Sequence, residues 1–490
     1  QMMFDTYSFL IVPVFLVAAF SIPVAKLYKR KLPEYIALYA ALTSAILFAA
    51  SIPALSSAKT LSYTIGGWKP PYGISIAIDQ MSAVFIAASL LALILCIVFS
   101  KEHLKTHKSE YYSLLCLFGV GMTGILHTAD LFNMFVFFEI LSISSYALAC
   151  YAKKKAAFRS ALNYLILGSF GTSLMLLGIA LLYGTTGTLN MADVAVKLEG
   201  LMPTTPAVLV AYSFIAAGIL LKAAVVPLHA WKPAVIRNSM PEVGALFATA
   251  STATALYAFF RVSYTVFGFS EVALFRNMLL VAGIATMIVG ALMAVSQKNL
   301  LGLLAYSTIS QTGYVLVAFG LANYTAGLFH LFNVIIIELT LFFTAGILIR
   351  SAGTSDIVSL GSKKITHPLL YWVMLLAFLS NAGVPLLNGF ASKWMIYVSG
   401  AAQAPLVALV AVLVSAITFA YSQKAFAMIF SGRKNAANIE LSKTSQACFF
   451  MLAGLMIFFG VFYVGGIYVF EIAAESMLDQ AGFIATVLGG

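Results

Sequence analysis

The chain has 490 residues, of which 62% are hydrophobic and 9% charged, with a mean hydropathy of +0.99 and a formal net charge of +11. This balance excludes a water-soluble globular fold, and the length of its apolar runs excludes a β-barrel, whose strands would be shorter and alternating. Apolar runs of about 20 residues, each long enough for one crossing, recur from end to end and point to an all-α polytopic membrane protein.

In chain order the predicted spans are 7–25, 34–55, 79–99, 111–128, 131–151, 160–182, 207–227, 242–264, 273–296, 300–320, 325–349, 368–400 (interrupted), 405–430 and 446–470, about fourteen crossings. The first run is followed by KLYKRK and lacks a small-residue cleavage site, so it reads as a retained span rather than a signal peptide. Between the second and third spans, IGGWKPPYGISIAID at 65–79 contains Gly-Gly and Pro-Pro and predicts a turn-rich external hairpin. In the fourth span GVGMTG at 119–124 matches the nucleotide-loop pattern, but no strand precedes it, and small residues inside an apolar helix point to close helix packing. His103 and His107 have a metal-like spacing in a charged loop without a third ligand nearby, so no metal site is assigned. Cys96, Cys116, Cys150 and Cys448 form no C-x-x-C and read as inert core residues. The tail after Glu471, with Glu475 and Asp479 among apolar residues, reads as an interfacial amphipathic helix.

The basic residues orient the chain. Connections after odd-numbered spans hold twenty of the 28, including Arg30, Lys232, Arg237 and Arg433, whereas the opposite face has only Lys59, Lys69, Lys197 and Arg276. The positive-inside rule makes the odd connections cytoplasmic and puts both termini outside a cell (inner) membrane. The net positive charge is mostly this asymmetry, so no nucleic-acid partner is implied.

Four cations remain inside spans: Lys222, Arg261, Lys393 and Lys424. Arg261 and Lys424 lie near predicted helix ends, where long side chains snorkel to the surface. Lys222 and Lys393 are deep, as are the carboxylates Glu139 and Glu338, while Asp79, Asp130 and Glu242 lie near span ends. A charge at mid-bilayer costs about 2.5–3.5 kcal/mol on insertion scales and by default marks a functional site. Opposed to one another, Glu139 and Lys222 would each lower the other's cost, either as a static lock between helices or as a proton-handling pair. His229, just past Pro227, and His330, on one broad helix face with Asn333 and Glu338, are further candidates for passing protons.

An internal echo links the two deep lysines. AAVVPLHAW at 223–231 and NAGVPLLNGF at 381–390 each place a VPL break in an apolar run, with Lys222 before the first and Lys393 after the second. The breaks fall in the seventh and twelfth spans, and an odd offset reverses direction across the membrane, as in inverted repeats that put ion sites at broken helices. Carbonyls freed by the second break, with nearby water, would hydrate the Lys393 ammonium.

GGWKPPYGI, DLFNMFVFFE, LLKAAVVPLHAWKP, LLAYSTISQTGY, LFHLFN and AGVPLLNGFASKW occur in this order over about residues 60–430. Together they resemble the antiporter-like subunits shared by Mrp-type Na⁺/H⁺ antiporters, membrane-bound hydrogenases, their sulfur-reducing relatives and respiratory complex I. GGW with Gln311 is most similar to the Mrp D-type and hydrogenase H-type subunits. The resemblance implies fourteen helices, two inverted five-helix repeats and broken seventh and twelfth helices. It organises the chain as three N-terminal helices with the hairpin (1–110), a first repeat (111–264), a second repeat (265–430) and a C-terminal helix with its tail (431–490). Glu139 matches the family's fifth-helix glutamate, Lys222 its paired seventh-helix lysine and Lys393 its twelfth-helix lysine.

Two helices depart from that pattern. Ala253, between Thr252 and Thr254, stands where the family has an eighth-helix lysine or histidine, and in the eleventh helix Val334 and Glu338 replace a histidine and a lysine. The expected function is ion translocation, of protons and in the family also of Na⁺, through a relay of Glu139, Lys222, His229, His330, Glu338 and Lys393. The chain would have no redox site or cofactor of its own; iron–sulfur or nickel–iron centres would lie in partners, either hydrophobic membrane subunits or a peripheral redox module. The alternatives are a degenerate subunit with a structural role, and a transporter that works alone.

Overall fold

The computed structural model describes residues 7–29, 31–201, 205–365, 367–431, 434–437 and 439–489; Arg30 and Arg433, two of the cations that orient the chain, lie outside them. Helices α1 (Ile11–Ala25) and α2 (Leu32–Ala58) lead into strands β1 (Thr60–Thr64) and β2 (Ser75–Asp79), and then α3 (Gln80–His103), α4 (Lys108–His127), α5 (Leu131–Ala149) and α6 (Lys155–Thr186). A short α7 (Met191–Glu199) precedes α8 (Pro206–Ala223), α9 (Trp231–Asn238), α10 (Pro241–Ala248) and α11 (Ala250–Phe260). After these come α12 (Ala273–Val295), α13 (Leu300–Gly320), α14 (Tyr324–Ala352) and α15 (Ile357–Gly361). Strand β3 (Lys363–Ile365), α16 (Pro368–Ala382), α17 (Asn388–Gln403), α18 (Pro405–Phe430), β4 (Lys434–Ala437), α19 (Lys443–Val461), α20 (Tyr463–Leu478) and α21 (Gln480–Leu488) complete the chain. Among the described residues twelve helices are long and apolar enough to cross a membrane. The protein is an all-α, multi-pass membrane protein.

Both predicted breaks are present. α8 ends at Ala223, Ala224 takes a left-handed φ of 59°, and helix resumes at Trp231. α16 ends at Ala382, Gly383 has φ 84°, and helix resumes at Asn388. In each case a proline just beyond cannot donate the next helical hydrogen bond. A third interruption has no glycine or proline to announce it: Thr249 (φ −106°, ψ −88°) separates α10 from α11, and Arg261–Val266 then form a π-helical turn.

The chain divides into two compact units. The first comprises residues 1–223, 250–271 and 472–490. Its hairpin pairs Thr60 with Asp79 through to Thr64 with Ser75, as the Gly-Gly and Pro-Pro signals imply. Gly121 packs on α5 so closely that a Cβ there would lie 2.5 Å from the Leu141 nitrogen, which identifies GVGMTG as a packing motif. His103 ends α3 while His107, at φ 54°, precedes α4, so their spacing lies on no common helix. The exposed stripe Phe158, Leu162, Ile166 and Phe170 on α6 is the apolar face expected against lipid or another subunit.

Arg261 does not snorkel. It is 3% exposed and donates to Asp79 Oδ1 at 2.6 Å, with its guanidinium over the Phe483 ring. The tail joins this unit through hydrogen bonds: Thr265 Oγ1 donates to the Met477 carbonyl, Gln480 Nε2 to Val266 and Ser62 Oγ to Thr486.

The second unit comprises residues 224–249 and 272–471. α13 and α14 are buried along most of their length. α10 is tied to α14 by Arg350, which donates to Glu242 at 2.6 Å. β3 and β4 pair in parallel. Lys424 on α18 is exposed, as expected of a snorkelling side chain.

Candidate functional site

Each unit carries its own group of buried polar side chains. In the first, Glu139, Ser142 and Tyr146 follow one another at helical spacing along α5 and so share a face. Lys222, in the last turn of α8 and 6% exposed, donates to Ser142 Oγ at 2.6 Å and to Tyr146 Oη at 3.0 Å. Its ammonium also lies 5.3 Å from the Tyr146 ring centre and 5.9 Å from that of Tyr164, whose faces favour a cation. Gly168 completes the enclosure on α6, since a Cβ there would come within 3.0 Å of Lys222 Nζ.

Glu139 acts on Lys222 through space but is not its contact partner. Lys26–Glu110, Lys108–Glu34, Lys197–Asp193, Arg261–Asp79 and Arg350–Glu242 are contact ion pairs, whereas the contacts of the Lys222 ammonium are the Ser142 and Tyr146 hydroxyls. The pair expected from the sequence is therefore open, with hydroxyls holding the lysine and Glu139 half-exposed one turn away. His229, in the segment between α8 and α9, is half-exposed, and its Nδ1 has no hydrogen-bond partner.

The second group is organised by the α16–α17 break. Lys393, fully buried on α17, donates to the Asn381 carbonyl at 2.7 Å and to Ser415 Oγ at 3.1 Å, with the Tyr314 ring 4.5 Å away. Asn381 is in the last turn of α16, where a carbonyl has no intrahelical donor, so the break supplies the lysine's acceptor. Asn388, which restarts the helix, is held by reciprocal bonds with Asn333 on α14 and by Ser380 Oγ at 2.5 Å. His330 Nδ1 lies 2.9 Å from Ser392 Oγ, and the imidazole is within electrostatic range of Lys393.

Glu338, in the middle of α14, is fully buried, and neither carboxylate oxygen has a hydrogen-bond partner within the fold. The Ser307 and Thr308 hydroxyls of α13 are its polar neighbours, and Lys232 is within electrostatic range. Ser307 in turn accepts from Asn381 Nδ2 at 2.8 Å and from Tyr421 Oη at 3.2 Å. Polar groups thus run from Lys232 through Glu338, Ser307 and Asn381 to Lys393 inside one unit.

Sequence reading misses Lys232. W-K-P just after a proline break, with Arg237 following, has the composition of a cytoplasmic loop, which places Lys232 among the loop cations. Instead it lies on α9 with no exposed surface. The signal that could have found it is chemical: a midspan glutamate needs an opposite charge.

Residues 128–418 match the family model described as "NADH:quinone oxidoreductase/Mrp antiporter, TM". The D-type subunit of the Na(+)/H(+) antiporter of Alkalihalophilus pseudofirmus is 31% identical over 435 residues, which cover 86% of this chain and 87% of that protein. The N-type subunit of the NADH-quinone oxidoreductase of Desulforudis audaxviator is 34% identical over 363 residues, covering 72% and 71%. A chain of the membrane-bound sulfane sulfur reductase, an archaeal respiratory membrane complex, superposes with a TM-score of 0.91 at 28% identity, covering 98% of this chain and 99% of that one. The chain belongs to the antiporter-like membrane subunits of the NADH:quinone oxidoreductase/Mrp antiporter family.

Proposed function

We propose that this chain moves protons, in exchange for Na⁺ if it works as its antiporter relatives are named, as one subunit of a larger complex in the cell membrane with both termini outside. The observation that carries this reading is Lys222: a buried ammonium at a mid-span break, held by two neutral hydroxyls with Glu139 in range but not in contact. A lysine so held can exchange a proton without dismantling a contact ion pair, whereas a structural lock would close on the carboxylate. Glu139 and Lys222 form the first station and Glu338, His330 and Lys393 the second, with His229 in the chain segment that leads from one to the other. Electrons would be handled by partner subunits, a reading supported by the lack of any C-x-x-C among the four cysteines.

A subunit that only holds its complex together is the second reading. Ala253 favours it, because α11 is buried throughout and has no histidine, lysine or carboxylate. The test is ion flux in vesicles carrying the whole complex. Loss of flux in an assembled Lys222→Ala complex supports translocation; unchanged flux leaves the structural reading.

A further inference from the structure

We infer that Lys232 and Glu338 form a proton-exchanging pair that serves as an intermediate station of the second unit; this rests on the ion-translocating reading above. Both side chains are fully buried, on α9 and α14 of the same unit, and each acts electrostatically on the other. α9 is only Trp231–Asn238, too short to span anything, yet it sits where the chain re-enters helix after a mid-span break and carries its lysine inward.

The surroundings argue for exchange rather than a static bond. A lock is strongest when its lone pairs and protons are all satisfied, but both Glu338 oxygens lack a hydrogen bond within the fold. Transfer of one proton from the Lys232 ammonium, through a bridging water, to the Glu338 carboxylate turns two opposed, non-contacting charges into a neutral amine and a carboxylic acid, and the return step restores them. Net buried charge is the same in both forms. Removing two ions from water erodes the preference for the charged form that the same groups have in solution, so the interior brings the two forms closer in energy. From Glu338 the hydroxyl of Ser307 and the Asn381 side chain lead toward Lys393, and the unpartnered Asn381 Oδ1 leaves an acceptor for a bridging water.

The test uses the whole complex in vesicles. Lys232→Arg keeps the charge but cannot give up its proton, and the matched neutral pair Lys232→Met with Glu338→Gln removes both charges together. Assembly with loss of flux in both is expected. Wild-type flux in either would overturn the inference, because a lock tolerates both changes. A second measurement leaves Lys232 untouched: difference infrared spectra during turnover should show a protonated-carboxyl band that Glu338→Gln abolishes, and a silent region there would equally overturn the pair. If Lys222→Ala also left flux intact, the function itself would be wrong; if Lys222→Ala stopped flux while Lys232→Arg did not, only this inference would fall.

Discussion

Lys222 donates to Ser142 at 2.6 Å, one helical turn along α5 from Glu139. The lysine is thereby parked beside the carboxylate rather than on it, and the second hydroxyl, Tyr146 at 3.0 Å, lies a further turn away. Hydrogen bonds from a charged donor are worth about 1.5–3 kcal/mol each. Ser142→Ala or Tyr146→Phe should therefore slow flux, and the double variant should stop it in complexes that still assemble. Full flux in the double variant would remove the hydroxyls from the account.

Gly168 tests the same enclosure from α6. A Cβ there would stand 2.2 Å from the Tyr146 hydroxyl and 3.0 Å from Lys222 Nζ, both ends of flexible side chains. Gly168→Ala is expected to fold and assemble yet transport poorly, whereas Gly184→Ala, with nothing within 4 Å of the new carbon, should behave as wild type. Equal flux in the two variants, measured side by side, would show that the position of the Lys222 head does not matter.

The Arg261–Asp79 pair joins residues 182 apart in sequence, and both are at most 3% exposed. Breaking such a buried pair costs about 3–5 kcal/mol because one charge is left alone. Asp79→Ala should lower the melting temperature markedly and loosen the tail that carries Phe483. Replacing both residues by apolar ones of similar size should restore most of the stability. A melting temperature indifferent to Asp79→Ala would contradict this.

At the second break Gly383 holds φ 84°, where an L side chain costs roughly 1–2 kcal/mol. A Cβ would also approach Lys393 Cδ at 3.1 Å. Gly383→Ala should lower thermal stability by about that amount and reduce flux through Lys393. Undiminished stability would mean that the left-handed turn is not needed.

Long-range periodicity and local chemistry make much of this legible. The spans follow from apolar length, the breaks from V-P-L beside a lysine, and the hairpin from Gly-Gly and Pro-Pro. The Lys393 environment is legible too, since a broken helix must leave carbonyls free. What stays hidden depends on distant partners. Arg261 has the look of a snorkelling end residue until Asp79 is brought to it, and Lys232 the look of a loop residue until α9 buries it within electrostatic range of Glu338. The interruption at Thr249 has no glycine or proline to mark it. The short α7 also escapes the span pattern, although Asn190, whose side chain accepts from Ala192 and Asp193 amides, is a recognisable cap.

In this mechanism Lys222 exchanges a proton during transport. Lys222→Arg tests it most directly, because arginine keeps the positive charge that holds the helices but does not deprotonate. Flux measured in vesicles containing the assembled variant complex should fall to the level of empty vesicles. Flux equal to that of the unsubstituted complex would show that only the charge of Lys222 is needed, and the account would fail.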